Sequence, residues 1–359
     1  MGKYLKFIVL CVLAALVLVW FGRGLDWAEV SGAIGRADWR MVAAGVVIVW
    51  ATYLIRAFRW RALLKPLAPQ ASLRETFAAT TVGFAAIFLV GRAVGEVLRP
   101  AFLAVRDPEV KPGPAFVTIA VERIYDSVAM VVLFAANLLV FRPATADAAG
   151  LQRLRLVGLV LLAGAAVGVA ALALFRRHAG KVIGWLTPRV EKLPKALRRV
   201  GRVASGLLEH LASTLGVLTD ARALFVTVGW TALLWLGITL ANWLVLRAFG
   251  LPVSLSGAVF VLGWSLVGSL MPTPGGGAGT YHKATAAGIL FAGIARTEEE
   301  AAAAVIVLNL VVFGAAVFFG PYYFLRGGVS LARLRGLAES EEAKNAVAVA
   351  PVRGERSTA

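Results

Sequence analysis

Arg92, Glu96 and Arg99 stand four and three residues apart, so a helix would put all three on one face. A carboxylate between two guanidiniums fixes their direction and leaves about one positive charge over, and each guanidinium is a planar fork suited to phosphate oxygens. Gly91 and Gly95 allow close approach of a backbone or a headgroup, and Pro100 is expected to stop the helix just after Arg99. A second group follows at Glu122, Arg123 and Asp126, with Glu122 and Asp126 again on one face. At membrane depth both carboxylates need partners, and Arg92 or Arg99 are the candidates. The third group is residues 272–279, with two prolines and four glycines, which cannot be regular helix. Its free N–H groups at Gly275, Gly276 and Gly277, ahead of a helix start near Thr280, suit an anion. His282 comes directly after. A lone histidine is more often a hydrogen-bonded structural residue than an acid, a base or a ligand. Plainer readings stand beside these: an arginine cluster that snorkels to the interface, a local Glu122–Arg123 anchor, and a turn that only reverses the chain.

The elements that must hold these residues are membrane helices. The chain has 359 residues, 59% hydrophobic and 16% charged, with a mean hydropathy of +0.79. A soluble domain is about a quarter charged. Residues 156–175, 223–246 and 301–325 are each uncharged over about the 20 residues a bilayer requires. The net charge of +17 would suggest nucleic acid in a soluble protein. Here the basic residues gather between apolar runs, which reads as cytoplasm-facing topogenic charge and excludes a nucleic-acid partner. They can also hold anionic lipid headgroups. One cysteine, Cys11, permits no disulfide within the chain, and no zinc spacing exists, so neither a metal nor a cofactor is expected.

Charge bias sets the expected path. Lys3 and Lys6 place the N-terminus in the cytoplasm before a span at 4–21, with no small-residue cleavage site after it. A span at 41–57 returns to Arg56, Arg59, Arg61 and Lys65, read as a cytoplasmic signal. Spans at 115–141 and 156–175 cross out and back to the most basic stretch, 176–222, which has ten Lys or Arg and three acidic residues. Segment 76–111 must then begin and end inside, as a re-entrant hairpin or a pair of spans. The second half runs out over 223–246, makes a hairpin over 255–294 broken at 272–279, and returns over 301–325. The expected fold is an all-α polytopic membrane protein with about six full spans, two re-entrant hairpins and an inverted-topology repeat. Its halves lie near 41–141 and 223–325, in one membrane domain, 1–338. Short polar or broken segments at matching places in two halves are a pointer to a transporter binding site. The tail, 339–359, has the composition of disorder and is placed in the cytoplasm. The basic run 188–202 reads equally as an interfacial helix or a plain connection.

No phosphate-binding lysine loop, dinucleotide fingerprint, Gly-x-Ser-x-Gly elbow or zinc-protease helix is present, which argues against an ATP-driven pump and the common hydrolases. Asn137, Asn242 and Asn309 fit interhelical hydrogen bonding, and most tryptophans fit the interface.

The ordered motifs resemble a known family. The run Arg56-Ala57-Phe58-Arg59-Trp60-Arg61-Ala62-Leu63-Leu64 comes first, then Gly91-Arg92 through Gly95-Glu96-Val97-Leu98-Arg99-Pro100. Glu122-Arg123-Ile124-Tyr125-Asp126 and the Pro272–Gly279 turn follow. Together they resemble the flippase-like proteins that share the transmembrane region of lysylphosphatidylglycerol synthase. The chain departs from that pattern at His282, where the family usually carries an acidic residue, and it lacks the soluble synthase domain of the bifunctional members. The resemblance implies a bacterial inner-membrane protein that moves a lipid or lipid-linked headgroup between leaflets and is not itself an enzyme. On this expectation Arg92 and Arg99 hold a phosphate, Glu96 orients them, and Glu122 and Asp126 balance the empty site. Arg123, Thr280 and His282 complete the lining with the glycine turn, and the partners are membrane lipids and, beyond them, lipid- or glycan-synthesis enzymes. Two other classes remain open: an enzyme on a phospholipid or polyprenyl-phosphate headgroup, with His282 or Glu122 as acid–base, and a membrane scaffold for envelope glycan or lipid synthesis. The absence of a nucleophile–base–orienter set weighs against the enzyme.

Overall fold

The computed structural model describes residues 12, 15–65, 68–143, 148–191, 221–270 and 277–327, and every regular element among them is helical. Helical residues 15–22 lead into α1 (Trp27–Arg36), which the sequence reading leaves as a loop. Asp26 starts it by accepting from the backbone N–H of Ala28 and Glu29, at 2.8 and 3.2 Å. Asp38 repeats the device for α2 (Trp39–Leu64), while its own N–H donates to the Ala248 carbonyl at the end of α7 (Ala221–Ala248). The long helices α2 and α7 pack along each other. Gly45 faces Val245 and Ala241, and Gly237 faces Thr52. Apolar burial gives little drive inside a bilayer, so small residues that let backbones close up carry such contacts.

Next come two short helices, α3 (Leu73–Leu89) and α4 (Arg92–Arg106), folded back on each other. The two-residue turn needs Gly91, at φ 126°. Gly83 and Gly95 face each other at the crossing, so close that a Cβ on Gly95 would strike the Gly83 carbonyl. At the open end Asp107 accepts from the Ser72 N–H at 3.0 Å, and Arg106 pairs with Glu75. The hairpin thus starts and finishes at one place. Pro100 does not end α4, contrary to expectation: the helix runs on to Arg106. Proline removes one backbone bond, but Pro100, Ala101, Phe102 and Leu103 are all buried, and this packing carries the helix through.

Helices α5 (Pro112–Val140) and α6 (Ala148–Glu191) pair next. α6 continues well past residue 175, so the first part of the expected basic loop, 176–191, is helix. Residues 192–220 of that loop, with the 188–202 run beyond Glu191, and the tail lie outside the described residues, and the last two residues of the loop open α7. α8 (Leu255–Gly268) and α9 (Thr280–Phe291) form the second short pair. Asn137 ties α5 to α8, donating to the Ser256 carbonyl at 3.0 Å and accepting from its hydroxyl at 2.7 Å.

The expected last span is broken. α10 (Glu298–Val312) bends by 43° through a 3-10 turn, Gly314–Phe318, into α11 (Gly320–Arg326). The bend lets α11 lie on α3, with Gly320 against Thr81 and Ala85. Among the described residues four helices are long and apolar enough to cross a bilayer, within α2, α5, α6 and α7, and the bent pair makes a fifth. The span expected at 4–21 falls mostly outside the described residues.

Candidate functional site

The centre of the charged site is a residue that sequence reasoning gave only a topogenic role. Arg59 on α2 is wholly buried. Its Nη1 donates to Asp126 Oδ1 at 2.6 Å and to Thr231 Oγ1 at 3.1 Å. Its Nη2 donates to Glu122 Oε1 at 3.2 Å and Asp126 Oδ2 at 3.1 Å, and Nε reaches Glu122 Oε1 at 3.3 Å. One guanidinium therefore joins α2, α5 and α7. Glu122 and Asp126 stand one turn apart on α5, which is why both fit a single fork.

Arg99 completes this block from α4. Its Nη1 donates to Glu122 Oε2 at 2.5 Å, and its guanidinium lies 4.1 Å from the centre of the Trp60 ring. Nε and Nη2 of Arg99 are buried with no hydrogen bond, and the ring face offsets part of that loss. The Trp60 indole is held in turn by Thr118 Oγ1 at 2.9 Å.

A second, more open group lies alongside. Arg92 Nε donates to Glu96 Oε1 at 3.0 Å, and Arg123 Nε stands 3.3 Å from the same oxygen. Glu96 thus serves Arg92 and Arg123, not Arg92 and Arg99 as expected. Arg56 lies over the Phe84 ring at 4.6 Å, with Nη1 3.9 Å from Asp126 Oδ2.

Several of these residues border a chamber of about 500 Å³. Arg56, Arg92, Arg123 and Asp126 line one part of it, and Met130, Phe134, Leu161, Leu262 and Leu266 line much of the rest. Both short pairs reach it, through Arg92 from one and Ser269 and Gly277 from the other. Arg99, Glu122 and Arg59 lie behind the wall, with 3%, 1% and 0% of their surface exposed.

Thr280 donates its hydroxyl to the Gly268 carbonyl at 2.7 Å, with the Gly277 carbonyl 3.1 Å away, and stitches the start of α9. His282 is buried beside Phe21 and accepts from the Gly279 N–H at 3.3 Å through Nδ1. It caps a helix and does not line the chamber. Gly275 and Gly276 fall outside the described residues. No cluster of His, Cys, Asp and Glu suited to a metal ion occurs among the described residues.

The helices and the chamber define a multi-pass α-helical membrane protein with ionisable side chains buried among its helices. The family model of the lysylphosphatidylglycerol synthase TM region matches residues 7–320, and the chain belongs to that family, which is tied to lipid metabolism. No curated protein matches the chain.

Proposed function

We propose that the protein binds the anionic headgroup of a membrane lipid in this chamber and carries it between the leaflets of the bacterial inner membrane. The observation that supports the reading is the division of the chamber: cationic where Arg56, Arg92 and Arg123 meet, apolar over most of the remainder. An amphiphile has the same division, and about 300–1,000 Å³ is the usual size of a ligand chamber. Arg92 and Arg123 take the phosphate, Glu96 aims them, and the block of Arg59, Arg99, Glu122 and Asp126 supports the wall behind. This moves the expected role of Arg99 from ligand contact to support. The α3–α4 pair enters from the cytoplasm and the α8–α9 pair from outside, as re-entrant hairpins of an inverted repeat, so their turns meet at mid-depth. Both termini are cytoplasmic.

The test is translocation of a fluorescent anionic lipid in vesicles reconstituted with the purified protein. The parent chain should speed the appearance of label in the opposite leaflet, and the double variant Arg92→Gln, Arg123→Gln should slow it by about tenfold or more. A parent no faster than protein-free vesicles would sink the proposal.

A further inference from the structure

Sorting the charges by what holds them leaves a remainder. All five N–H groups of Arg59 are taken by Glu122, Asp126 and Thr231, and Arg99 takes the second oxygen of Glu122. Two guanidiniums and two carboxylates thus make a neutral block, of which Asp126 alone reaches the wall. Outside that block Arg56, Arg92 and Arg123 stand at the wall, and Glu96, paired with the last two, is the carboxylate beside them: three positive charges against one negative among the described residues. Glu96 divides one oxygen, Oε1, between Arg92 and Arg123. Among the described residues Asp126 is the one carboxylate within 4 Å of Arg56, at 3.9 Å, and both Asp126 oxygens already serve Arg59. The Nε groups of Arg56 and Arg123 are buried and donate no hydrogen bond. Among the described residues the wall therefore carries two positive charges in excess, beside a mostly apolar chamber.

The geometry points to a headgroup that ends in a phosphate monoester, with about two negative charges and three free oxygens. This rests on the reading of the chamber as a lipid-headgroup site and narrows it. A phosphodiester lipid brings one negative charge and leaves one positive charge of the wall unmet. A zwitterionic headgroup leaves both unmet and adds a cation that the wall repels. In a chamber of low polarity, an unmatched charge weighs far more than it would in water. A monoester matches the count, and its three oxygens match three forks. Free phosphate shares this chemistry, but it would leave the apolar lining of Met130, Phe134, Leu262 and Leu266 empty.

The experiment is native mass spectrometry of the purified full chain in detergent, offered phosphatidic acid and phosphatidylglycerol of the same chain length in equal amounts. At pH 7.5 phosphatidic acid should be retained about tenfold more than phosphatidylglycerol. At pH 5 its phosphate is singly charged, the second ionisation lying near pH ~6, so the preference should fall toward one. Arg123→Gln should reduce the preference at pH 7.5, while Arg123→Lys, which keeps the charge, should keep most of it. Inorganic phosphate in hundredfold excess should leave the bound lipid in place. Equal retention of the two lipids at pH 7.5, or a preference unchanged at pH 5, would overturn the monoester assignment while leaving an anionic-lipid site intact. Displacement by inorganic phosphate at that excess would overturn the lipid as the source of the phosphate. Retention of neither lipid by a folded parent would remove the underlying site as well.

Discussion

A guanidinium whose N–H groups are all engaged cannot also hold a ligand, and this separates Arg59 from Arg56 three residues earlier. Arg59 is a structural hub, and its loss would leave Glu122 and Asp126 buried and short of partners. Arg59→Met is expected to cost about 3–5 kcal/mol, measured by thermal or denaturant unfolding in detergent. Adding Asp126→Asn to that variant should restore part of the loss, because it removes a charge that the first change orphaned. Full additivity of the two changes would contradict the hub. The need of Glu122 and Asp126 for partners was legible in the sequence, since carboxylates at span depth are costly alone. Their chief partner was not. Arg59 sits in a run with Arg56, Arg61 and Lys65 that has a sufficient topogenic explanation, and composition cannot tell a guanidinium folded inward from one facing water. A signal was nevertheless there: the three-residue spacing of Arg56 and Arg59 marks a cationic face matching the four-residue spacing of the acids.

At the scale of elements, the α3–α4 pair depends on two glycines with no room for a methyl group. Gly95→Ala would push a carbon onto the Gly83 carbonyl and the Ile87 backbone, which cannot turn aside as a side chain can. The expected loss is about 3 kcal/mol, at the upper end for overpacking. On α6, by contrast, Gly164 has nothing near its missing Cβ. Gly164→Ala should stay within about 0.5 kcal/mol of the parent or gain stability through helix propensity. Unfolding midpoints of the two variants side by side check both statements, and equal behaviour would refute the close crossing. The short apolar helices were legible from hydropathy; most of the glycine-rich break lies outside the described residues, and at its end Gly277 and Gly279 have the positive φ that glycine permits. The passage of α4 through Pro100 and the bend after Val312 were not legible, because each follows from packing between segments distant in sequence.

At the scale of the whole molecule, the opposed entry of the two hairpins can be tested with the chain's own economy of cysteine. Cys11 is the single cysteine, so Cys11→Ser gives a blank background. Glu109→Cys and Arg296→Cys then place one exposed thiol on each side of the proposed inverted arrangement. An impermeant thiol reagent added to intact cells should label the second and reach the first only after lysis. Labelling of both from one side would exclude opposed hairpins. Charge bias in the sequence frames this path as an expectation, whereas the chamber was not readable there, since its lining comes from helices far apart along the chain.

The chamber wall at Leu161 belongs to α6, whose main neighbour is α5 and whose remaining surface is largely exposed. Acyl chains beside α6 are as apolar as the wall itself, so that helix can yield sideways while the cationic end stays fixed by its buried ion pairs. A lipid seated by its phosphate can then trail its tails past α6 into the surrounding bilayer. The protein should sort its cargo by what it carries at the head and accept long, short, saturated or isoprenoid tails with little distinction.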